Sequence, residues 1–207
     1  MQIKHPVYNP DGLDYSENCG PTSLAMSLNR LNLQPRAYRS QSGTQAMIDA
    51  ARFAMFSDDK GYSINPDKDG VVTLEDGSAG PRAEEEHLTL TNLVDVERGA
   101  ENSGATSWRL HSLDEADLAL QQGHPIMLAG NPHLPGAYGK RFGLEYDGGH
   151  FISVSDIDAD KGCYIINDPL IAEAGAKVTK GELKSFLAAD IFENTIGLAF
   201  EANESWS

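Results

Sequence analysis

The chain has 207 residues, 31 acidic against 16 basic, for a formal charge of −15. That length suffices for one domain with a sizeable core, and two cysteines are too few for a disulfide framework. The charge argues against nucleic acid or anionic membrane as a partner, and no apolar run approaches the length of a membrane span.

The segment Met1-Gln2-Ile3-Lys4-His5-Pro6 lacks the apolar core of a secretory signal, so the expected location is the cytoplasm, or outside it by export without a cleavable signal peptide. Turn formers (Pro6, Asn9-Pro10-Asp11-Gly12) make residues 1–16 an extended, looping approach to the next element. That element is a helix opening at Cys19-Gly20-Pro21. Pro21 suits a first helical turn, and Leu24, Leu28 and Leu31 recur on one face. Cys19 then sits at the helix mouth, where free N–H groups and the positive dipole end favour a thiolate. The helix should stop before Pro35.

Ser42-Gly43-Thr44-Gln45 offers a cap for a second helix with Met47, Ala50, Ala51, Ala54 and Met55 inward. Residues 58–82 form the most polar and turn-rich stretch and read as a polar insertion within a single domain spanning 1–207. A helix resumes near Ala83-Glu84-Glu85-Glu86 and runs toward Gly99, with Leu90, Leu93 and Val94 inward. Ser112-Leu113-Asp114-Glu115 caps another helix, which Gly123 stops.

From Pro125 the period changes. Ile126-Met127-Leu128-Ala129 reads as a short buried strand, and a Gly/Pro-rich loop covers residues 130–149. Residues 150–157 and 162–167 are two β-rich runs around Asp158-Ala159-Asp160-Lys161, which predicts a hairpin. Thr179-Lys180-Gly181-Glu182 caps a last short helix carrying Leu183, Phe186 and Leu187. Ile196, Leu198 and Phe200 mark a final strand. Helices first and antiparallel strands second predict an α+β fold: a helical N-terminal lobe packed on a C-terminal antiparallel sheet.

A thiol nucleophile needs a base, and the base needs an acceptor for its other ring nitrogen. His150 opens the first hairpin strand and Asp168 closes the second. A turn centred near residue 159 or 160 places His150 opposite residue 168 to 170, within reach of the Asp168 carboxylate. Gly148-Gly149 leaves room beside His150 for a substrate backbone. The pattern predicts Cys19 as nucleophile, His150 as base and Asp168 as its orienting acid. Cys163, inside a strand pattern, reads as buried core filling, with Cys19 partly exposed and the more reactive.

Three segments carry a family resemblance: Asn18-Cys19-Gly20-Pro21-Thr22-Ser23-Leu24-Ala25-Met26, Gly149-His150-Phe151-Ile152-Ser153-Val154 and Tyr164-Ile165-Ile166-Asn167-Asp168-Pro169. Together they resemble the papain-like cysteine peptidases of the bacteriocin-leader-processing (double-glycine peptidase) type, in their stand-alone form. The resemblance implies a papain-like fold, a peptide or protein substrate and no required cofactor. It also implies the chain order Cys, His, Asp for Cys19, His150 and Asp168. Residues 35–110 match no part of the pattern. The family places a glutamine shortly before the cysteine to complete the oxyanion hole. Here the nearest preceding glutamine is Gln2, which leaves Asn9 and Asn18 as candidate amides.

The expected reaction is cleavage of a peptide or amide bond through a thioester. The same chemistry would serve an effector or toxin acting as a cell-wall amidase or protein deamidase. A non-catalytic peptide-binding module of the same fold is the alternative from another class. Residues 65–76, with Asn65, Asp67, Asp69 and Asp76 at ligand positions and Gly70 at the turn, follow calcium-loop grammar and make calcium the one metal expectation. They depart from it in Asn at the first position, Pro at the second and Asp at the twelfth. His5, His87, His111, His124 and His133 show no metal-ligand spacing.

Overall fold

The computed structural model describes residues 19–33, 47–48, 50–51, 54–55, 62–66, 71–74, 79–82, 91–133, 136–158 and 160–203, with backbone alone for the three short segments between 62 and 82. Asn9, Asn18, Asp67, Asp69, Asp76 and the expected looping approach over residues 1–16 lie outside the described residues. So does the side chain of Asn65.

Helix α1 is Cys19–Arg30. Residues 47, 48, 50, 51, 54 and 55 are helical, and Ala50, Ala51, Ala54 and Met55 are buried, as their spacing predicts. Within the polar stretch, three short segments are strands that its composition does not predict. Strands β1 (Tyr62–Pro66), β2 (Val71–Leu74) and β3 (Ala79–Arg82) form a three-stranded antiparallel sheet. Pairing with neighbours overrides the turn-rich sequence between them.

The expected helix start at residues 83–86, and Leu90, lie outside the described residues; the helix described next, α2 (Leu93–Asn102), runs past Gly99. Asn92 stands in extended conformation as its N-cap and forms a reciprocal capping box with Asp95. That start turns Leu93, Val96 and Ala100 inward and leaves Val94 half exposed at 51%, against the expectation that Val94 packs inside.

A six-stranded antiparallel sheet carries the rest. Its strands are β4 (Ala105–Leu110), β5 (Ile126–Gly130), β6 (His150–Asp158), β7 (Cys163–Asn167), β8 (Ala176–Thr179) and β9 (Gly197–Ala202), ordered β4-β9-β5-β6-β7-β8. Three helices accompany it: α3 (Leu113–Gln121), α4 (Ala137–Phe142) and α5 (Lys180–Leu187). Ser112 caps α3 and Gly123, at φ +86°, ends its turn; Thr179 and Glu182 form a capping box on α5. Helix α4 lies within residues 130–149, which the sequence reading leaves as a loop.

Both faces of this sheet are covered. On one, Met127, Ala129, Phe151, Leu198 and Phe200 pack with Leu24 and Leu28 of α1 and Val96 of α2. On the other, Ile126, Leu128, Ile152, Val154, Ile166 and Ala199 pack with Ala116 of α3, Tyr138 of α4 and Phe186 of α5. Burial on both sides explains why β5 is apolar without alternation. This is the α+β architecture of helices on an antiparallel sheet.

One irregularity sets the hairpin register. From its turn, Asp158 pairs with Cys163, Ile157 with Tyr164 and Asp156 with Ile165; beyond that, Val154 pairs with Ile166 and Ser153 with Asn167. Ser155 is therefore an extra residue, a β-bulge. Since side chains alternate faces, a one-residue slip moves them to the other side. Without the bulge His150 would fall opposite Ile171, with Asp168 on the far face. With it, the same count carried past the ladder's last pair, Ser153 and Asn167, puts residue 170 level with His150, and Asp168 shares the His150 face.

Candidate active site

Cys19 is the first residue of α1, so its backbone N–H is among those without an intrahelical partner. Two serines one turn apart dock this helix on β6. Ser23 donates to the Phe151 carbonyl at 3.0 Å, and the Ser27 and Ser153 hydroxyls meet at 3.0 Å. All three are buried, so the contacts replace water for groups that would otherwise be left unsatisfied. They fix α1 along the strand that begins with His150. The leucine spacing located the buried face of α1, but the serines at i and i+4 were the overlooked signal of its docking.

His150 is 1% exposed. Its Nε2 lies 2.7 Å from Asp168 Oδ1, and the rings of Tyr146 and Phe186 stand edge-on to the imidazole with centroids 6.1 and 6.3 Å away. Phe186 reaches this position because β5 ends in Gly130: a β-carbon there would lie 2.5 Å from the phenyl ring and 2.3 Å from the Phe186 carbonyl oxygen. Asp168 lies one residue past β7, beyond the ladder, where its carboxylate is free to collect donors. Besides His150, Oδ1 accepts the Leu170 N–H at 2.7 Å, and Oδ2 accepts the Tyr138 hydroxyl at 2.6 Å.

The electrostatics follow from this packing. Burial alone would push the His150 imidazole down. The Asp168 carboxylate, by charge and hydrogen bond, and Cys19, by hydrogen bond and charge, outweigh it and hold His150 up at about 9. Burial likewise pushes Asp168 up, but His150, Tyr138 and the Leu170 N–H together hold it below the usual carboxylate range. With Nε2 engaged by Asp168, Nδ1 is the ring nitrogen available to Cys19. Of the residues singled out in the sequence, the structure brings Cys19, His150 and Asp168 together.

Two expectations are corrected. Cys163 is half-buried, its sulfur 3.4 Å from the Lys161 carbonyl oxygen, rather than core filling. Cys19, at 8% exposure, is the more buried of the two. Cys163 pairs with Asp158 beside the hairpin turn, at the end of β7 where the core no longer covers the strand. Tyr138 was missed altogether, for it lies in a stretch whose glycines and prolines hide the six-residue helix.

An α+β frame that sets a helix-mouth cysteine beside a histidine–aspartate pair defines a cysteine peptidase-like hydrolase. The chain belongs to the Peptidase_C39 like family, whose model matches residues 1–199, and a peptidase family implies a peptide or protein substrate. The fold is similar to that of a crystal structure assigned to the C39-like peptidases, from Bacillus anthracis. The match has a TM-score of 0.52 at 14% identity and covers 90% of each chain. No curated protein matches the chain. No helix of the described residues is long and apolar enough to cross a membrane, and no group of three or more metal-ligating side chains occurs among them.

Proposed function

We propose that the protein hydrolyses a peptide or other amide bond with Cys19 as nucleophile, His150 as general acid and base, and Asp168 as the residue that orients His150. The observation carrying this reading is the buried 2.7 Å contact between His150 Nε2 and Asp168 Oδ1, which holds the ring by Nε2 and leaves Nδ1 for the thiol. His150 held up at about 9 is protonated at neutral pH, so it partners a Cys19 thiolate.

In this mechanism the thiolate attacks the scissile carbonyl carbon, forming the C–S bond as the carbonyl electrons move to oxygen. The backbone N–H of Cys19, which has no intrahelical partner at the helix start, donates to that oxyanion. Collapse breaks the C–N bond while His150 gives its Nδ1 proton to the leaving amine. The thioester left on Cys19 is cleaved by water, whose proton His150 takes. Asn9 and Asn18 remain the candidate second oxyanion donors.

Mass-mapped alkylation with iodoacetamide at pH 6 tests the reading. Cys19 should label well before Cys163, although it is the less exposed, because a His-paired thiolate outruns an ordinary thiol at mildly acidic pH. Equal labelling, or Cys163 first, would overturn the assignment and favour a peptide-binding module that kept only the fold.

A further inference from the structure

Helix α4 makes a contact with this site that neither the sequence pattern nor the family assignment supplies. The Tyr138 hydroxyl donates to Asp168 Oδ2 at 2.6 Å, while His150 and the Leu170 N–H both use Oδ1. Tyr138, Asp168 and His150 are 1%, 4% and 1% exposed. The carboxylate is thus pinned at both oxygens in a place that water does not reach. A buried carboxylate held only through Oδ1 could swing about its Cβ–Cγ bond, and its second oxygen would lack a donor.

Tyr138 is itself held from several sides. Its N–H donates to Ser185 Oγ of α5 at 3.0 Å. Its ring packs against Phe142 and Phe186 at centroid distances of 5.1 and 5.0 Å, and Phe186 also touches His150. Helix α4 presses so closely on the preceding turn that a β-carbon on Gly139 would lie 2.1 Å from the Pro132 carbonyl oxygen. Such fixing exceeds what a buried tyrosine needs merely to fill space.

We propose that Tyr138 is a positioning residue of this site. Its hydroxyl sets the plane of the Asp168 carboxylate, so that Oδ1 meets His150 and the imidazole keeps its orientation toward Cys19. The inference rests on the reading of Asp168 as the orienting acid. Among the described residues, the charged or titratable groups facing the cluster are His150 from β6, Cys19 from α1 and Arg141 from α4, the last paired with Glu182 of α5 at 3.1 Å. Substituting Tyr138 leaves all of these in place.

The test is the pH profile of Cys19 alkylation by iodoacetamide in wild type, Tyr138→Phe and Phe142→Leu. Tyr138→Phe keeps the ring and removes one hydrogen bond to a charged group. Its acid limb should move upward, because an imidazolium no longer held toward Cys19 favours the reactive thiolate form less. Phe142→Leu disturbs the same ring cluster but leaves the hydroxyl, so it should lower the melting temperature with the limb in place. A Tyr138→Phe limb that coincides with wild type overturns the proposal, as does an equal shift in Phe142→Leu. If Tyr138→Phe fails to fold, Ser185→Ala, which loosens Tyr138 through its backbone, should move the limb the same way by less, and an unmoved limb there overturns it. A wild-type profile of an ordinary thiol instead overturns the reading of Asp168 and His150 themselves.

Discussion

Replacing Asp168 by Asn separates charge from geometry at the site. The Oδ1 position receives two donors, from His150 Nε2 and the Leu170 N–H, so the amide oxygen belongs there. The NH₂ group then faces Tyr138, whose hydroxyl oxygen can accept. The imidazole keeps its tautomer, and what disappears is the negative charge. That charge is the leading influence raising His150 to about 9 against its burial. Without it the imidazole should fall below its ordinary value of ~6.5, a change on the order of 3 kcal/mol in the stability of the imidazolium. At pH 7 the charged pair then collapses to neutral partners, and turnover should drop ~10²–10⁴-fold, the range that general acid–base catalysis contributes. The direct assay is an NMR titration of the His150 ring, which needs no substrate. Asp156→Asn is the control: Asp156 lies in the same strand, exposed, with its carboxylate on the neighbouring Ile157 N–H. If His150 still titrates near 9 in Asp168→Asn, or shifts equally in the control, the electrostatic argument fails.

Stability should depend on pH through the same pair. His150, raised, contributes fully below ~6.5 and loses its contribution as pH rises through about 9, while Asp168, lowered, contributes above ~3.9 and loses it as pH falls. Denaturant midpoints should therefore be highest between about pH 4 and 6.5, and Asp168→Asn should flatten the profile; a wild-type curve rising from pH 6.5 to 9 counts against this. Ser27→Ala strands the buried Ser153 hydroxyl and should cost about 1–3 kcal/mol in urea unfolding, and the double variant with Ser153→Ala should cost less than the sum of the singles. Glu193 and Asn194, at φ 43° and 68°, form a two-residue turn between the bridged Phe192 and Thr195, so Glu193→Gly should stabilise by about 1 kcal/mol, and a loss would refute the strain. The calcium proposal for residues 65–76, which include the end of β1 and all of β2, predicts a higher melting temperature in millimolar calcium than in chelator. Coincident melting curves would remove it.

Sequence alone determined what is local. Pro21 and the leucine spacing located α1 with Cys19 at its start. The capping residues Ser112 and Thr179 located α3 and α5, and the apolar runs located β5, β6, β7 and β9. These signals lie within a turn or a strand of the residues they organise, so they survive without knowledge of the partners. The hairpin itself was legible too, although its ladder ends at Ser153 and Asn167, short of His150 and Asp168. Tertiary structure decided the rest. A turn-rich sequence pairs into β1, β2 and β3 because strand ladders form between neighbours, and the Asn92–Asp95 capping box fixes where α2 begins. The Ser155 bulge is invisible in alternation, yet it sets which face Asp168 shares. The order of exposure of the two cysteines was inverted, because burial depends on what covers a position rather than on its own pattern. Tyr138 lies 30 residues from Asp168, and their contact exists only because α4 and α5 close over the end of the sheet.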